Sequence, residues 1–221
     1  MKHLSRRAVL SYSLGGAVAL ESLGALACRS NVFSPNDRLG VAVIGMNGMG
    51  HVHVKTLAGR TDVRLVSLCD VDQAVLQRAA ETVKGINNEE PALVTDFRSV
   101  ITDPATDAVV IATPNHWHTP IAVQAMQAGK DVYVEKAASH VFREGRLLMQ
   151  VEQKYQRIFQ HGTQMRATQI LRRAGEVLES GILGEIKTAK AWNVQRQIER
   201  RVVPDSPIPE GVNYDLWLGP A

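Results

Sequence analysis

The stretch LGVAVIGMNGMG, residues 39–50, decides the fold: a nearly continuous apolar run ends in a cluster of glycines and passes into a helix-forming segment. Such a run suits a strand buried on both faces, as in a parallel sheet. Glycines between strand and helix let backbone N–H groups approach a pyrophosphate at the positive end of the helix. The spacing is G-x-x-G-x-G, with Asn47 where the commoner G-x-G-x-x-G pattern has its middle glycine, so the turn alone also fits an ordinary tight connection. Asp70 shifts the balance. It ends a second apolar run, VRLVSLCD (63–70), twenty residues after Gly50, where an acidic side chain binds ribose hydroxyls and repels a 2′-phosphate. Together the two features point to NAD in preference to NADP.

Outward from this pair, strand and helix patterns alternate. Further strand candidates are ALVT (92–95), AVVIAT (108–113), DVYVEK (131–136) and RIFQHG (157–162). Between them, residues 72–84 read as a helix that stops before Gly85. Thr119-Pro120 reads as a cap and first-turn proline opening a helix that runs to Gly129, and 139–155 and 167–180 read as amphipathic helices. This alternation predicts an α/β fold, a doubly wound parallel sheet of Rossmann-like type, over residues 39–165. From residue 166 the chain reads as the beginning of an incomplete second α+β domain. There EIKTAKAWNVQ (185–195) alternates like a strand solvated on one face, and an irregular arm with Pro204, Pro207, Pro209 and Pro220 follows. Leu216 and Trp217 in that arm read as surface for a missing partner segment.

The chain has 221 residues, 45% of them hydrophobic and 21% charged, which excludes a disordered tail, a collagen and a disulfide scaffold. The opening segment, residues 1–27, has a basic start (Lys2, Arg6, Arg7), a mildly apolar middle and Ala25-Leu26-Ala27 as a small-residue cleavage site, so it reads as an export signal. Its adjacent arginines resemble a twin-arginine signal, which implies a periplasmic or otherwise exported protein. Cys28 directly after Ala27 offers lipid anchoring as a lesser alternative, and residues 28–38 read as a linker. The formal charge of +3 falls to +1 without the signal, 22 basic against 21 acidic residues. Neither a nucleic-acid partner nor a membrane span is expected. Arg172-Arg173 and Arg200-Arg201 read as solvated faces. Cys69 lies in an apolar strand pattern and reads as a small packed hydrophobe.

Two further clusters fall at predicted strand ends, the edge where open α/β sheets bind ligands: Ala112-Thr113-Pro114-Asn115-His116-Trp117-His118 and Tyr133-Val134-Glu135-Lys136. With IGMNGMG, CDVD, ATPNHWH, DVYVEK, HGTQ (161–164) and WLGP in this order, the sequence resembles the Gfo/Idh/MocA family of nucleotide-dependent oxidoreductases. The resemblance implies that Gly45, Asn47, Gly48, Met49 and Gly50 serve the phosphates and Asp70 the adenosine ribose. It implies that Thr113, Pro114, Asn115 and His118 line the nicotinamide half, and that Glu135, Lys136 and Gln164 lie at the cofactor, with Lys136 assisting proton transfer. A lysine beside a cationic nicotinamide has its ammonium form disfavoured, which suits that role. Ala137 stands where the family has a proline, a change that removes a fixed backbone angle after Lys136.

The resemblance implies NAD-dependent hydride transfer to or from a sugar, polyol or similar hydroxylated substrate, and pairing of copies through a second sheet. It also places a further catalytic His beyond the point where this chain stops. Two alternatives stand beside it: an NAD-dependent glycosidase with transient redox chemistry, and a non-catalytic NAD-binding fragment. The pairs His51/His53 and His116/His118 lack accompanying Cys or carboxylates at ligand spacing, so no metal is expected. His140 and His161 read as structural.

Overall fold

The computed structural model describes residues 38–192 and 204–220. The export signal, Cys28, most of the linker and Arg200-Arg201 lie outside these residues. Six strands form one sheet: β1 (Leu39–Ile44), β2 (Val63–Cys69), β3 (Ala92–Val94), β4 (Ala108–Ile111), β5 (Asp131–Glu135) and β6 (Phe159–Gly162). The order is β3-β2-β1-β4-β5-β6 and every pairing is parallel. Order reverses beside β1, so the crevice at the carboxyl ends of β1 and β4 is the topological switch point of a doubly wound sheet.

Alternation along β1 shows why the sheet is covered on both sides. Val41 and Val43 pack with Val54 and Ala58 of α1 (Met49–Ala58) and with Val75, Ala79 and Val83 of α2 (Gln73–Asn87). Ala42 and Ile44 face the other way, onto Phe97, Val100 and Ile101 of α3 (Phe97–Thr102) and Ile121, Ala122 and Ala125 of α4 (Asn115–Gln127), a layer completed by Leu148 and Val151 of α5 (Phe142–Tyr155). Cys69 is buried in this second layer, and desolvation pushes its thiol up to about 12. It is a packing group and a poor nucleophile.

Three helix boundaries differ from the sequence expectations. Helix α2 runs through Gly85 and ends at Asn88, whose left-handed φ of 60° supplies the stop; an interior glycine costs a helix only about 1 kcal/mol. Helix α4 begins at Asn115, so Pro120 sits inside it. Thr119 does not cap: its hydroxyl donates to the Ala138 carbonyl at 3.2 Å. Helix α5 starts at Phe142, where the Glu144 carboxylate turns back to accept from the backbone N–H groups of His140 and Val141.

Beyond β6, a short 3₁₀ turn (Gln164–Ala167) leads to α6 (Gln169–Glu179), which stops before Gly181 at φ +73° as expected. Helix α6 has no buried residue. The strand expected from Glu185 is not formed over residues 185–192, which are exposed and irregular; its remainder lies outside the described residues. An alternating segment gains little from extension without a neighbouring strand to pair with. The final described stretch returns to the first domain. Val212 bridges Asp72, and α7 (Tyr214–Leu218) lies across the first turn of α4, where Leu216 and Trp217 line a cavity of the first domain while Trp217 stays 41% exposed. Among the described residues no helix is long and apolar enough to cross a membrane, and no group of three or more His, Cys, Asp or Glu side chains is placed to hold a metal.

Candidate dinucleotide site

The turn from β1 to α1 is fixed by backbone approach. Gly45 has φ +81°, a conformation glycine adopts without strain, and a Cβ there would stand 2.8 Å from the backbone of Ala112 and Thr113. At Gly50 a Cβ would meet the Gly45 carbonyl oxygen at 2.0 Å. Asn47, Gly48 and Met49 form the exposed rim between them. No side chain caps α1, and no acidic residue stands in its first turn; the Gly50 N–H donates to the Asn47 carbonyl at 3.1 Å, which leaves the N–H groups of Gly48 and Met49 at the rim for an anion. The residues present fit a pyrophosphate.

Asp70 is anchored beside this turn. One carboxylate oxygen accepts from Met46 N–H at 2.8 Å and the other from Asp72 N–H at 3.1 Å, which leaves lone pairs on both for further donors. Burial is the main influence on it and raises its pKa above the usual aspartate range, against the lowering effect of the backbone donors. A cavity of about 470 Å³ opens here, bounded by Asp70, Asn47, Thr113 and Trp117 among others. That is within the roughly 300–1,000 Å³ usual for small-molecule sites. Thr113 borders this cavity, and its hydroxyl is buried without a hydrogen-bond partner. Pro114 also borders the cavity, and Asn115 is exposed at the start of α4.

His118 is placed differently from the expectation. It is only 1% exposed, with Nδ1 2.6 Å from the Ala137 carbonyl oxygen and Nε2 2.8 Å from that of Thr113. The ring lies between two carbonyl acceptors, so the residue ties the end of β4 to the segment after β5 and does not border the cavity. The Lys136–Ala137 peptide is cis. Lys136 itself is exposed just past the carboxyl end of β5.

Glu135 is buried at 4% exposure and is the hub of a cluster. Its carboxylate meets His53 Nε2 at 2.8 Å, the Gln164 side-chain amide, and the Lys136 N–H at 3.3 Å. The Tyr133 ring stands edge-on to His53 at 5.2 Å, its phenol pushed up first by burial and then by the Glu135 charge. The cluster links the phosphate-side helix α1, the strand carrying Lys136 and the turn after β6. The sequence offers His53 only as a metal-ligand candidate; helical spacing from Gly50, Val54 and Ala58 puts it on the sheet-facing side, and that signal identifies it. Removing one donor from a buried carboxylate costs about 1–3 kcal/mol. His53→Ala is accordingly expected to lower the melting temperature by roughly 2–12 °C, at about 2–4 °C per kcal/mol for a chain of this size. Thermal unfolding followed by circular dichroism checks it.

A parallel sheet with a glycine turn at its switch point, an acidic residue following the next strand and a helix without a side-chain cap after that turn defines a dinucleotide-binding Rossmann domain. The chain belongs to the Gfo/Idh/MocA oxidoreductase family, whose NAD-binding Rossmann-fold profile matches residues 39–163. It is 35% identical over 103 residues to a glycosyl hydrolase family 109 protein of Shewanella baltica, a match covering 45% of this chain and 22% of that one. The crystal structure of myo-inositol 2-dehydrogenase from Lactobacillus plantarum superposes with a TM-score of 0.61 and 28% identity, over 67% of this chain and 43% of that one. GenD2 from gentamicin A biosynthesis, solved in complex with NAD, gives a TM-score of 0.60 and 28% identity over 75% of this chain and 43% of that one. The chain spans less than half the length of each of these proteins.

Proposed function

We propose that the protein is an exported, NAD-dependent oxidoreductase acting on a hydroxylated carbon of a sugar, polyol or similar substrate, with NAD favoured over NADP. The observation that carries this reading is the position of Lys136: exposed at the carboxyl end of β5, on the same sheet edge as the glycine turn and Asp70. NAD supplies a hydride acceptor when bound. The backbone N–H groups of Asn47, Gly48 and Met49 would hold its phosphates, Asp70 would take ribose hydroxyls, and Thr113 would border the bound cofactor. Lys136 Nζ would assist departure of the substrate hydroxyl proton while the carbinol carbon gives its hydride to the cofactor. Glu135, pinned by His53 and Gln164, fixes the backbone from which Lys136 projects. Export rests on the twin arginines and small-residue cleavage site of residues 1–27.

The match to a glycosyl hydrolase family 109 protein favours one second reading, a glycosidase that oxidises its sugar transiently and regenerates its cofactor. One experiment separates the two. The protein is incubated with NAD and a panel of inositols, hexoses and aryl glycosides while NADH absorbance and aryl alcohol are followed together. NADH accumulation with a free polyol supports the oxidoreductase. Release of the aryl group without NADH establishes the glycosidase instead, and neither signal alongside NAD binding leaves a cofactor-binding unit without chemistry.

A further inference from the structure

The cavity beside Asp70 has a wall contributed by residues from the far end of the sequence. Val212, Tyr214, Leu216 and Trp217 line it opposite the glycine turn and the Thr113 segment. This strap, residues 211–218, is pinned at both lips of the crevice. At one lip Gln73 N–H donates to the Gly211 carbonyl at 3.1 Å and Asn213 N–H to the Val71 carbonyl at 2.9 Å, on the residues just after Asp70. At the other, Trp117 Nε1–H donates to the Leu216 carbonyl at 2.8 Å and His116 Nε2 lies 3.0 Å from the Trp217 carbonyl. Tyr214 and Trp217 stack on each other at 5.6 Å. Gly219, at φ +49°, lies so close to the Trp117 ring that a Cβ would stand 2.3 Å from it.

Two features assign the strap a role. The cavity offers aromatic and aliphatic walls from Phe97, Trp117, Ile121 and Trp217, with carboxylates at Asp70 and Asp72 and no basic side chain. That chemistry accepts a neutral aromatic base with a ribose diol and rejects a second phosphate. Helix α7 buries no residue and Trp217 is 41% exposed, so the strap is held by a few hydrogen bonds over an open cavity. Segments held in this way open locally far more readily than the core does.

We infer that residues 211–218 form a strap closing over the adenosine half of NAD, with Trp217 and Tyr214 as its aromatic roof, and that the cofactor leaves only when the strap lifts. The inference rests on the NAD-binding reading of the same site. It assigns binding roles to residues of the last segment of the chain, about 100 positions away from the α4 residues that they contact. A strap of this kind slows release.

The test is a stopped-flow chase. NADH bound to the protein is displaced by excess NAD, and the loss of its fluorescence gives the dissociation rate. Aromatic contact with a base is worth roughly 1–3 kcal/mol, so Trp217→Ala is expected to speed release on the order of 5- to 150-fold. Trp217→Phe should release NADH at nearly the original rate. His116→Ala removes an anchor of the strap that does not line the cavity, and it should speed release in the same direction. ADP should protect the strap from limited proteolysis, and nicotinamide mononucleotide should not. Release unchanged in both Trp217→Ala and His116→Ala, with NADH still bound, overturns the strap and leaves the NAD reading intact. Failure of the unaltered protein to bind NADH overturns both.

Discussion

Gly50→Val is expected to abolish NAD binding and to lower the melting temperature of the empty protein by at least about 6 °C. The reason is backbone against backbone: the new Cβ would lie 2.0 Å from the Gly45 carbonyl oxygen and 2.8 Å from its carbon. No flexible side chain is there to swing away. Relief requires the β1–α1 turn to open, and overpacking of this severity costs about 3 kcal/mol or more, which a chain of this size registers at roughly 2–4 °C per kcal/mol. The turn that opens is the one whose N–H groups face the phosphates, so binding goes with stability. Gly85→Ala is the internal control. Gly85 lies inside α2 with nothing within 4 Å of its would-be Cβ, so alanine is expected to stabilise by roughly 0.5–1 kcal/mol. Differential scanning calorimetry on both variants, with NAD titrated into each, checks the pair. A Gly50→Val protein that binds NAD normally would show that the turn is no cradle.

The second large effect is at Asp70. Its carboxylate spends one oxygen on Met46 N–H and the other on Asp72 N–H, which aims the remaining lone pairs into the cavity. Hydrogen bonds to a charged group contribute about 1.5–3 kcal/mol each. Asp70→Ala is therefore expected to weaken NAD binding by roughly 10- to 150-fold and, by removing the charge that repels a 2′-phosphate, to bring NADP close to NAD. Fluorescence titration with both dinucleotides reads the change.

The same residue gives a pH dependence. Burial holds the Asp70 pKa above the usual aspartate range, so NAD affinity should fall as pH drops through that raised value, sooner than for an exposed carboxylate. For the empty protein the sign is opposite: a raised folded pKa contributes stability that is fully present below the unfolded value and is lost as pH rises through the folded one. Acid should thus weaken cofactor binding while this group favours the empty fold. Asp70→Asn should flatten the binding profile.

The sheet was legible because each strand announced itself locally. Six apolar runs separated by helical spacings are a property of neighbouring residues, and all six formed, in an order that put the glycine turn and Asp70 on adjacent strands. Helix ends were less legible, since Gly85 and Pro120 are local breakers that surrounding packing overrides: Val83 and Ile121 are buried at 0% and 1% exposure on either side of the sheet. Which residues meet across the site was out of reach of local patterns. The Glu135 cluster draws His53, Glu135 and Gln164 from three separated segments, and the strap joins residues 211–217 to 71–73 and 116–117. Irregular backbone with several prolines carries no periodicity to say where it will dock. His118 shows the converse. It stands in a motif at the right strand end, yet its direction depends on the carbonyls of Thr113 and Ala137, which only the folded chain brings together.

The most direct test of the central claim is a calorimetric titration of NAD, and separately of NADP, into the unaltered protein. Saturable one-to-one binding of NAD, with NADP clearly weaker, is the expected result, because the glycine turn receives the shared pyrophosphate while Asp70 meets either a ribose hydroxyl or a repelled phosphate. NADP binding as tightly as NAD would contradict the role given to Asp70. No binding of either would contradict the reading of the crevice as a dinucleotide site.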